Sequence, residues 1–503
     1  MIAGPVFRRY GLLHHLRDVA PDRFHRPTLA LAIPLYILTA WNSTGFHGAD
    51  EHYQIIEFAQ WKLGELPADA LAWEFAAGIR SSLQPWIAAT VFKCADAVGL
   101  TSPFTKAFLL RLLSAILALV AVGRFVRATG HAWPRRWRSA YILASYLLWF
   151  LPLLYTHFSS ESWAAIFLLW MLAAVLAKRW QWPVFAGLLA GIAILCRPPT
   201  ALIVLSCMAW MLWVRRDRSA FLAQMGAATM LMLLLGLWLD RAFYGAFTPT
   251  LWNYLHMGFT GEPGRFGVLP WYYYPPLVFK YAIPPIGTVI LVSFLALLIN
   301  HPRHIAVWCI LPYLLAHTLI PHKELRFLYP LAGLVPWVMV QAWAGANMHR
   351  KADLARKGLA ITAVVLVAAV NFLGLAVVAL TPAGQSVADL ARTTNRTCTT
   401  PCTIGFAVEA GEAWRIMPPS FYRAPNANYV VLGTGTNDTL PPDTGLVVAP
   451  DDHPLPPLPE GTRWAPVAHA MPAWASALMA AYTWGEGPAP WTLYQPAPAA
   501  TDR

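Results

Sequence analysis

Residues 358–380, GLAITAVVLVAAVNFLGLAVVAL, hold no charged side chain. As a helix rising 1.5 Å per residue, such a stretch reaches about 34 Å, enough to cross the hydrocarbon of a bilayer. Similar apolar runs recur at 28–45, 106–126, 139–155, 160–177, 183–196, 199–214, 222–240, 278–299, 305–320 and 327–343, which predicts eleven spans, two of them short. With 57% hydrophobic residues, 12% charged residues and 24 Trp, the chain has too few charges to cover a soluble globule of 503 residues. The expected fold class is an all-α polytopic membrane protein.

Basic residues between the runs set the orientation. Arg8, Arg9, Arg17, Arg23 and Arg26 lie in a tail, 1–27, and alternate loops carry Arg135, Arg136 and Arg138, then Lys178 and Arg179. Arg215, Arg216 and Arg218 follow, then Arg303, then Arg350, Lys351, Arg356 and Lys357. The positive-inside rule makes these cytoplasmic. The net charge of +12 is therefore mostly topology, with anionic lipid headgroups as partners and no reason to invoke nucleic acid. The start lacks the short apolar core and small-residue cleavage site of a signal peptide, so the first span is expected to remain as an anchor. A multi-pass protein of the plasma (inner) membrane results, or of the endoplasmic reticulum membrane in a eukaryote.

The other face receives the loop 46–105, the turn 156–160, Arg197, the loop 241–277, the turn at 321–326 and a tail, 381–503. That tail is rich in Pro, Gly, Thr and Asn and carries short β-like runs, NYVVLG and TGLVVAP, which predict a small β-containing exported domain. Cys398 and Cys402 in CTTPC are close enough to bridge in an oxidising compartment. Cys94, Cys196, Cys207 and Cys309 lie in or near apolar runs and read as small core residues. No internal repeat and no metal-ligand spacing is visible.

Chemistry is expected on that exported face. PHKELRFLYP, residues 321–330, concentrates His322, Lys323, Glu324 and Arg326 between two apolar runs. At the centre of a span those charges would cost on the order of 10 kcal/mol, so they belong at a membrane surface. Asp50 and Glu51 are adjacent carboxylates just beyond the first run, where a solvated turn or a general base would both fit. Amphipathic, aromatic-rich segments follow at Ile55–Leu63 and Leu71–Ile79, suited to the headgroup plane. Arg197 in ILCRPPT sits where a helix must break, and it either snorkels to headgroups or meets a ligand. Pro270–Trp271–Tyr272 fits an interfacial aromatic belt or a wall for sugar or lipid.

The ordered motifs ADEHYQ with WEF…GIRSSLQP, RPPTALI, FYGAFTPT…NYL, PWYYYP and HKELRFLYP resemble a known family. It is that of the polyprenol-phosphate-mannose-dependent mannosyltransferases of GPI-anchor and N-glycan assembly, of the GT-C class and glycosyltransferase family 22. The likeness covers roughly residues 30–345 and is strongest to the enzymes that add the third mannose of the GPI anchor. The Ala- and Arg-rich, Lys-poor usage suggests a bacterial member. Ala49 stands where the family has proline before the acidic pair, and the tail after 381 matches nothing in the family.

The resemblance implies inverting transfer of mannose, or another hexose, from a polyprenyl-phosphate donor to a lipid-linked or cell-surface glycan acceptor. Asp50 would be the base that takes the acceptor proton, with Glu51 the second choice. Charge that accumulates on the departing phosphate would be met by His322, Lys323, Arg326 and Arg197, oriented by Glu324, beside a wall of Trp271 and Tyr272. No nucleotide cofactor and no metal are expected, since the lipid-linked sugar is itself a substrate. A transporter or flippase of lipid-linked sugars is the alternative, although it would be expected to show internal repeats and polar residues near mid-membrane. An impermeant thiol reagent on intact cells should label a cysteine placed at Gly261 and spare one at Arg216; the reverse pattern would move the acidic pair and the 321–326 turn into the cytoplasm.

Overall fold

The structure is a computed structural model that describes residues 24–130, 133, 135–177, 182–260, 267–345, 354–409, 411, 413, 416–433, 440–441, 443–451, 453–483 and 490–498. Several basic residues that set the orientation fall outside these, including Arg8, Arg9, Arg17, Arg23, Lys178, Arg179, Arg350 and Lys351, as does Gly261. All eleven predicted runs are helical. Among the described residues, six helices are long and apolar enough to cross a membrane, or eight if two bent pairs each count once. The chain is an integral, multi-pass membrane protein, with a span count below the expected eleven by this measure.

The differences from the predicted runs lie at prolines and polar contacts. The run 278–299 is divided between helices Tyr274–Tyr281 and Pro284–Asn300. Pro284 and Pro285 bar helical geometry just before them, and Ile283 takes the strained left-handed value φ 67°. The run 139–155 breaks into Arg135–Leu147 and Phe150–Thr156, bent by 48°. Asn371, on the helix Leu354–Leu380, closes that break: its Oδ1 accepts from the Trp149 N–H at 2.8 Å and its Nδ2 donates to the Leu147 carbonyl at 2.8 Å. Within a bilayer no water could do so.

Compactness divides the chain into two units, one from the described parts of Met1–Leu38, Ala72–Ile87 and Arg111–Ala376, the other from those of Thr39–Leu71, Ala88–Leu110 and Val377–Arg503. In the first, the helix Trp182–Cys196 packs against Ser219–Tyr244 through Gly187 and Gly191. A Cβ at Gly187 would stand 2.3 Å from the Met225 carbonyl oxygen, so the small-residue face is what lets these helices approach.

Two of the sequence motifs are tied together in this unit. Buried Asp240 accepts from the Ser82 N–H and Oγ, both at 2.7 Å, and from Thr250 Oγ1 at 2.6 Å. Tyr244 donates to the Arg80 carbonyl and Asn253 to that of Gly78. Gly78 has φ 58°, and a Cβ there would meet Thr248 Cγ2 at 2.7 Å.

In the second unit a five-stranded sheet has the order β2-β1-β3-β5-β4, with β1 Cys402–Phe406, β2 Ala427–Val431, β3 Thr444–Pro450, β4 Thr462–His469 and β5 Trp491–Pro498. β1 runs parallel to β2 and β3; β5 runs antiparallel to β3 and β4. NYVVLG and TGLVVAP supply β2 and β3 as expected. Cys398 and Cys402 form a disulfide between the end of the helix Val387–Thr397 and β1. Cys196, Cys207 and Cys309 are buried, but Cys94 is exposed, because it lies on the outward face of Leu83–Ala97.

Asp240→Ala should strand three buried donors at about 1–3 kcal/mol each if none finds a new acceptor. The expected result is a melting temperature in detergent several degrees below wild type, with Gly78→Ala lowering it as well through strain at its positive φ. An unchanged melting temperature for Asp240→Ala would show that the knot is not structural.

Candidate active site

Pro321 ends the helix Ile305–Leu319, and the chain bends over 320–322 and is extended at Glu324 (φ −131°, ψ 149°) before a 3₁₀ run, Leu325–Leu334, that contains Pro330. Lys323 is 4% exposed, and its ammonium donates to the carbonyls of Leu269 at 2.9 Å and Ile320 at 2.6 Å, while the Leu269 N–H donates to Pro321. Lys323 therefore latches the 267–270 strand of chain to the turn, rather than presenting its charge to a ligand. Arg326 grips Glu324 in a two-pronged ion pair, with NH2 to Oε1 at 2.9 Å. His322 Nε2 lies 2.8 Å from the same Oε1. Partial burial pushes the Glu324 carboxyl up, but Arg326 and His322 outweigh it and hold the group below the usual carboxylate range.

Arg197 joins this group from elsewhere in the sequence. Pro198 and Pro199 end the helix at Cys196, Arg197 is extended (φ −144°, ψ 98°), and its carbonyl is held by Thr200 Oγ1 at 2.7 Å. Its side chain is 4% exposed and pairs with Glu161 Oε1 at 3.1 Å. The Arg197 guanidinium lies 5.2 Å from the Phe327 ring centroid and that of Arg326 5.8 Å from it, so one ring supports both cations. The Tyr313 hydroxyl fixes Phe327 by donating to its carbonyl at 2.8 Å. Arg197 Nε and the Tyr274 hydroxyl are buried without hydrogen-bond partners.

His322, Glu324 and Arg326 thus meet in one turn, and Arg197 reaches the same Phe327 ring as Arg326. Trp271 and Tyr272 stack edge to face at 5.7 Å, with Trp271 73% exposed; it is Tyr274 that is buried. Sequence reasoning missed Glu161 and Asp240. Each is a lone carboxylate at the end of an apolar run, which was the available signal.

The acidic pair lies in the second unit. Ala49–Glu51 forms one helical turn, followed by a π-helical turn, His52–Ile56, and the helix Glu57–Leu63. Buried Glu51 accepts the His47 N–H at 3.0 Å, while Asp50 is partly exposed. His52 is wholly buried among the rings of Phe46, Tyr53, Phe421 and Tyr422, with no hydrogen bond to either ring nitrogen. Its Nε2 is 3.7 Å from Glu57 Oε1. This is no ion pair: burial lowers His52 to about 3 and raises Glu57 to about 7.

Membrane helices with these breaks, joined to a small mixed sheet, define a membrane protein of the GT-C fold. ArnT from Cupriavidus metallidurans, solved with undecaprenyl phosphate, superposes with a TM-score of 0.51 at 13% identity, over 94% of this chain and 98% of that one. The archaeal oligosaccharyltransferase AglB from Archaeoglobus fulgidus, solved with an inhibitory peptide and a dolichol-phosphate, gives 0.51 at 13% identity, over 85% and 69%. The chain belongs to the Alg9-like mannosyltransferase family, whose model it matches over residues 28–422. It is 32% identical over 137 residues to the α-1,2-mannosyltransferase ALG9 of Saccharomyces cerevisiae, which is 26% of this chain and 24% of that one. It is 26% identical over 320 residues to the human GPI α-1,2-mannosyltransferase 3, covering 62% and 56%. The chain thus spans about a quarter of the first relative and a little over half of the second.

Glu324 is the hinge of the turn, since both Arg326 and His322 bind it. Glu324→Gln and Arg326→Ala should each lower the melting temperature by about 1–3 °C, in line with a half-exposed pair. The double variant should fall no further than the worse single one, because each removes the same interaction; additive losses would mean that the two residues stabilise the turn separately.

Proposed function

We propose that the protein is an inverting membrane glycosyltransferase that moves mannose, or another hexose, from a polyprenyl-phosphate donor to a lipid-linked or cell-surface glycan acceptor. The observation that carries this is the meeting of buried Arg197 and partly exposed Arg326 on the Phe327 ring, with an unmatched Nε–H on Arg197, in a chain of the Alg9-like family. Cleavage of the anomeric C–O bond leaves its electron pair on a phosphate oxygen, and preorganised guanidinium groups stabilise that charge where it develops. Relatives in this family are named α-1,2-mannosyltransferases, and structural neighbours were solved with undecaprenyl phosphate and dolichol-phosphate, which supports the choice of sugar and lipid.

In this reading Arg197, Arg326 and His322 take the phosphate, Glu324 orients the last two, and Lys323 keeps the turn in shape. The acceptor hydroxyl loses its proton to Asp50, a partly exposed carboxylate at the head of its helical turn. The reaction takes place on the non-cytoplasmic face of the plasma (inner) membrane, the orientation that the basic loops support. The donor is a substrate, and the reading includes no nucleotide or metal cofactor.

Purified protein given a radiolabelled polyprenyl-phosphate mannose and a glycan acceptor should release polyprenyl phosphate, which a transporter would not do. Asp50→Asn should reduce turnover by about 10²–10⁴-fold with donor binding retained. Arg326→Ala should raise donor KM and lower kcat, and Arg326→Lys should restore only part, because a planar fork becomes a point charge. Near-normal turnover in Asp50→Asn would remove it from the role of base, and wild-type protein that binds the donor without cleaving it would point to transport.

A further inference from the structure

Glu161 has no part in the reaction just described, yet it is among the most buried charged groups in the first unit. Its Oε1 is 3.1 Å from Arg197 NH1, its Oε2 accepts from Ser160 Oγ at 2.9 Å, and it lies within electrostatic reach of Arg326. Only 2% of its surface is exposed. Two carboxylates, Glu161 and Glu324, thus stand beside two guanidinium groups, Arg197 and Arg326, with the Lys323 ammonium held by carbonyls in the same turn as Glu324. The Arg197 Nε–H and the Tyr274 hydroxyl are buried with no hydrogen-bond partner, and Glu161 Oε1, which Arg197 meets as an ion pair, has none either. Buried donors without acceptors are groups that an oxyanion could use, and a carboxylate beside the guanidinium limits how much negative charge such a site can hold.

Resting on the reading of this cluster as a lipid-phosphate site, we propose that Glu161 is its built-in counter-anion: a positioning residue that orients Arg197 and makes the site prefer a singly charged phosphodiester to a doubly charged monoester. The donor's phosphate is a diester and carries one negative charge. Once the sugar leaves, the lipid phosphate is a monoester that carries about 1.5–2 charges at pH 7. Two uncompensated guanidinium groups in a poorly screened pocket would favour the more highly charged product and retain it. A fixed carboxylate beside Arg197 opposes the second charge and leaves the first well bound. It also aims the guanidinium, because Arg197 has, among the described residues, one ion-pair partner and one supporting ring.

The test compares two inhibitors with the same chain, undecaprenyl phosphate and its methyl ester, in which the phosphate is locked as a singly charged diester. In Glu161→Gln the ratio of their inhibition constants should shift by about tenfold toward tighter binding of the monoester. Glu161→Asp withdraws the carboxylate by one methylene and should shift the ratio the same way by about threefold, which keeps the test open if the Gln variant does not fold. A purely structural Glu161 predicts that both inhibitors weaken together, and an unchanged ratio in folded variants would overturn the proposal. Failure of either inhibitor to bind wild-type protein would instead remove the lipid-phosphate reading on which it rests.

Discussion

In an apolar surrounding, any backbone group freed by a broken helix must find its partner within the protein, and this requirement shapes the chain throughout. The break at Leu148–Trp149 is completed by a single asparagine carboxamide. The Trp149 indole then donates to the carbonyl of Ala282, the residue beside the strained Ile283. At the 321–326 turn the same need is met by Lys323, whose ammonium is absorbed by backbone oxygens. An expected ligand cation is thereby converted into part of the scaffold. Irregular backbone is where side chains gather in this fold, because that is where helices stop being self-sufficient.

Buried charge follows a parallel rule, with two different outcomes. In the first unit Arg197 with Glu161, and Arg326 with Glu324, meet as ion pairs, and Asp240 is surrounded by three donors, so a partner or several donors offset the loss of hydration. In the second unit His52 and Glu57 lie close together, but neither ring nitrogen of His52 has a hydrogen-bond partner, and desolvation drives both toward their neutral forms despite Arg423 near Glu57. Proximity of opposite types is thus not enough to make a salt bridge. What decides the state is whether other donors and acceptors reach the pair.

Much of this was legible in the sequence, and the reasons differ by feature. The helices could be read because apolar runs leave the chain no other spanning structure, and the turn around Glu324 because four ionisable residues cannot sit at mid-span. β2 and β3 emerged from short β-branched runs bounded by Pro, Gly and Asn. The breaks at Ile283 and Trp149 were harder: the first follows from Pro284, and the second from Pro152, which can neither bond nor pack against the Leu148 carbonyl, but its closure by Asn371 comes from a distant helix. Glu161 was hidden for a similar reason. Its partner Arg197 is far along the chain, and no periodicity relates the two. Lys323 could be located but not understood, because the carbonyls that hold it belong partly to Leu269.

The asparagine at 371 has a further consequence for how the protein is made. The bend it completes is separated from it by 222 residues at Trp149 and 224 at Leu147. During synthesis, the helices before residue 177 reach the membrane long before residue 371 leaves the ribosome. Until then the open N–H and C=O of the bend must be served by water at the insertion site or by another protein. A chain halted before residue 371 would lack the group that closes this bend.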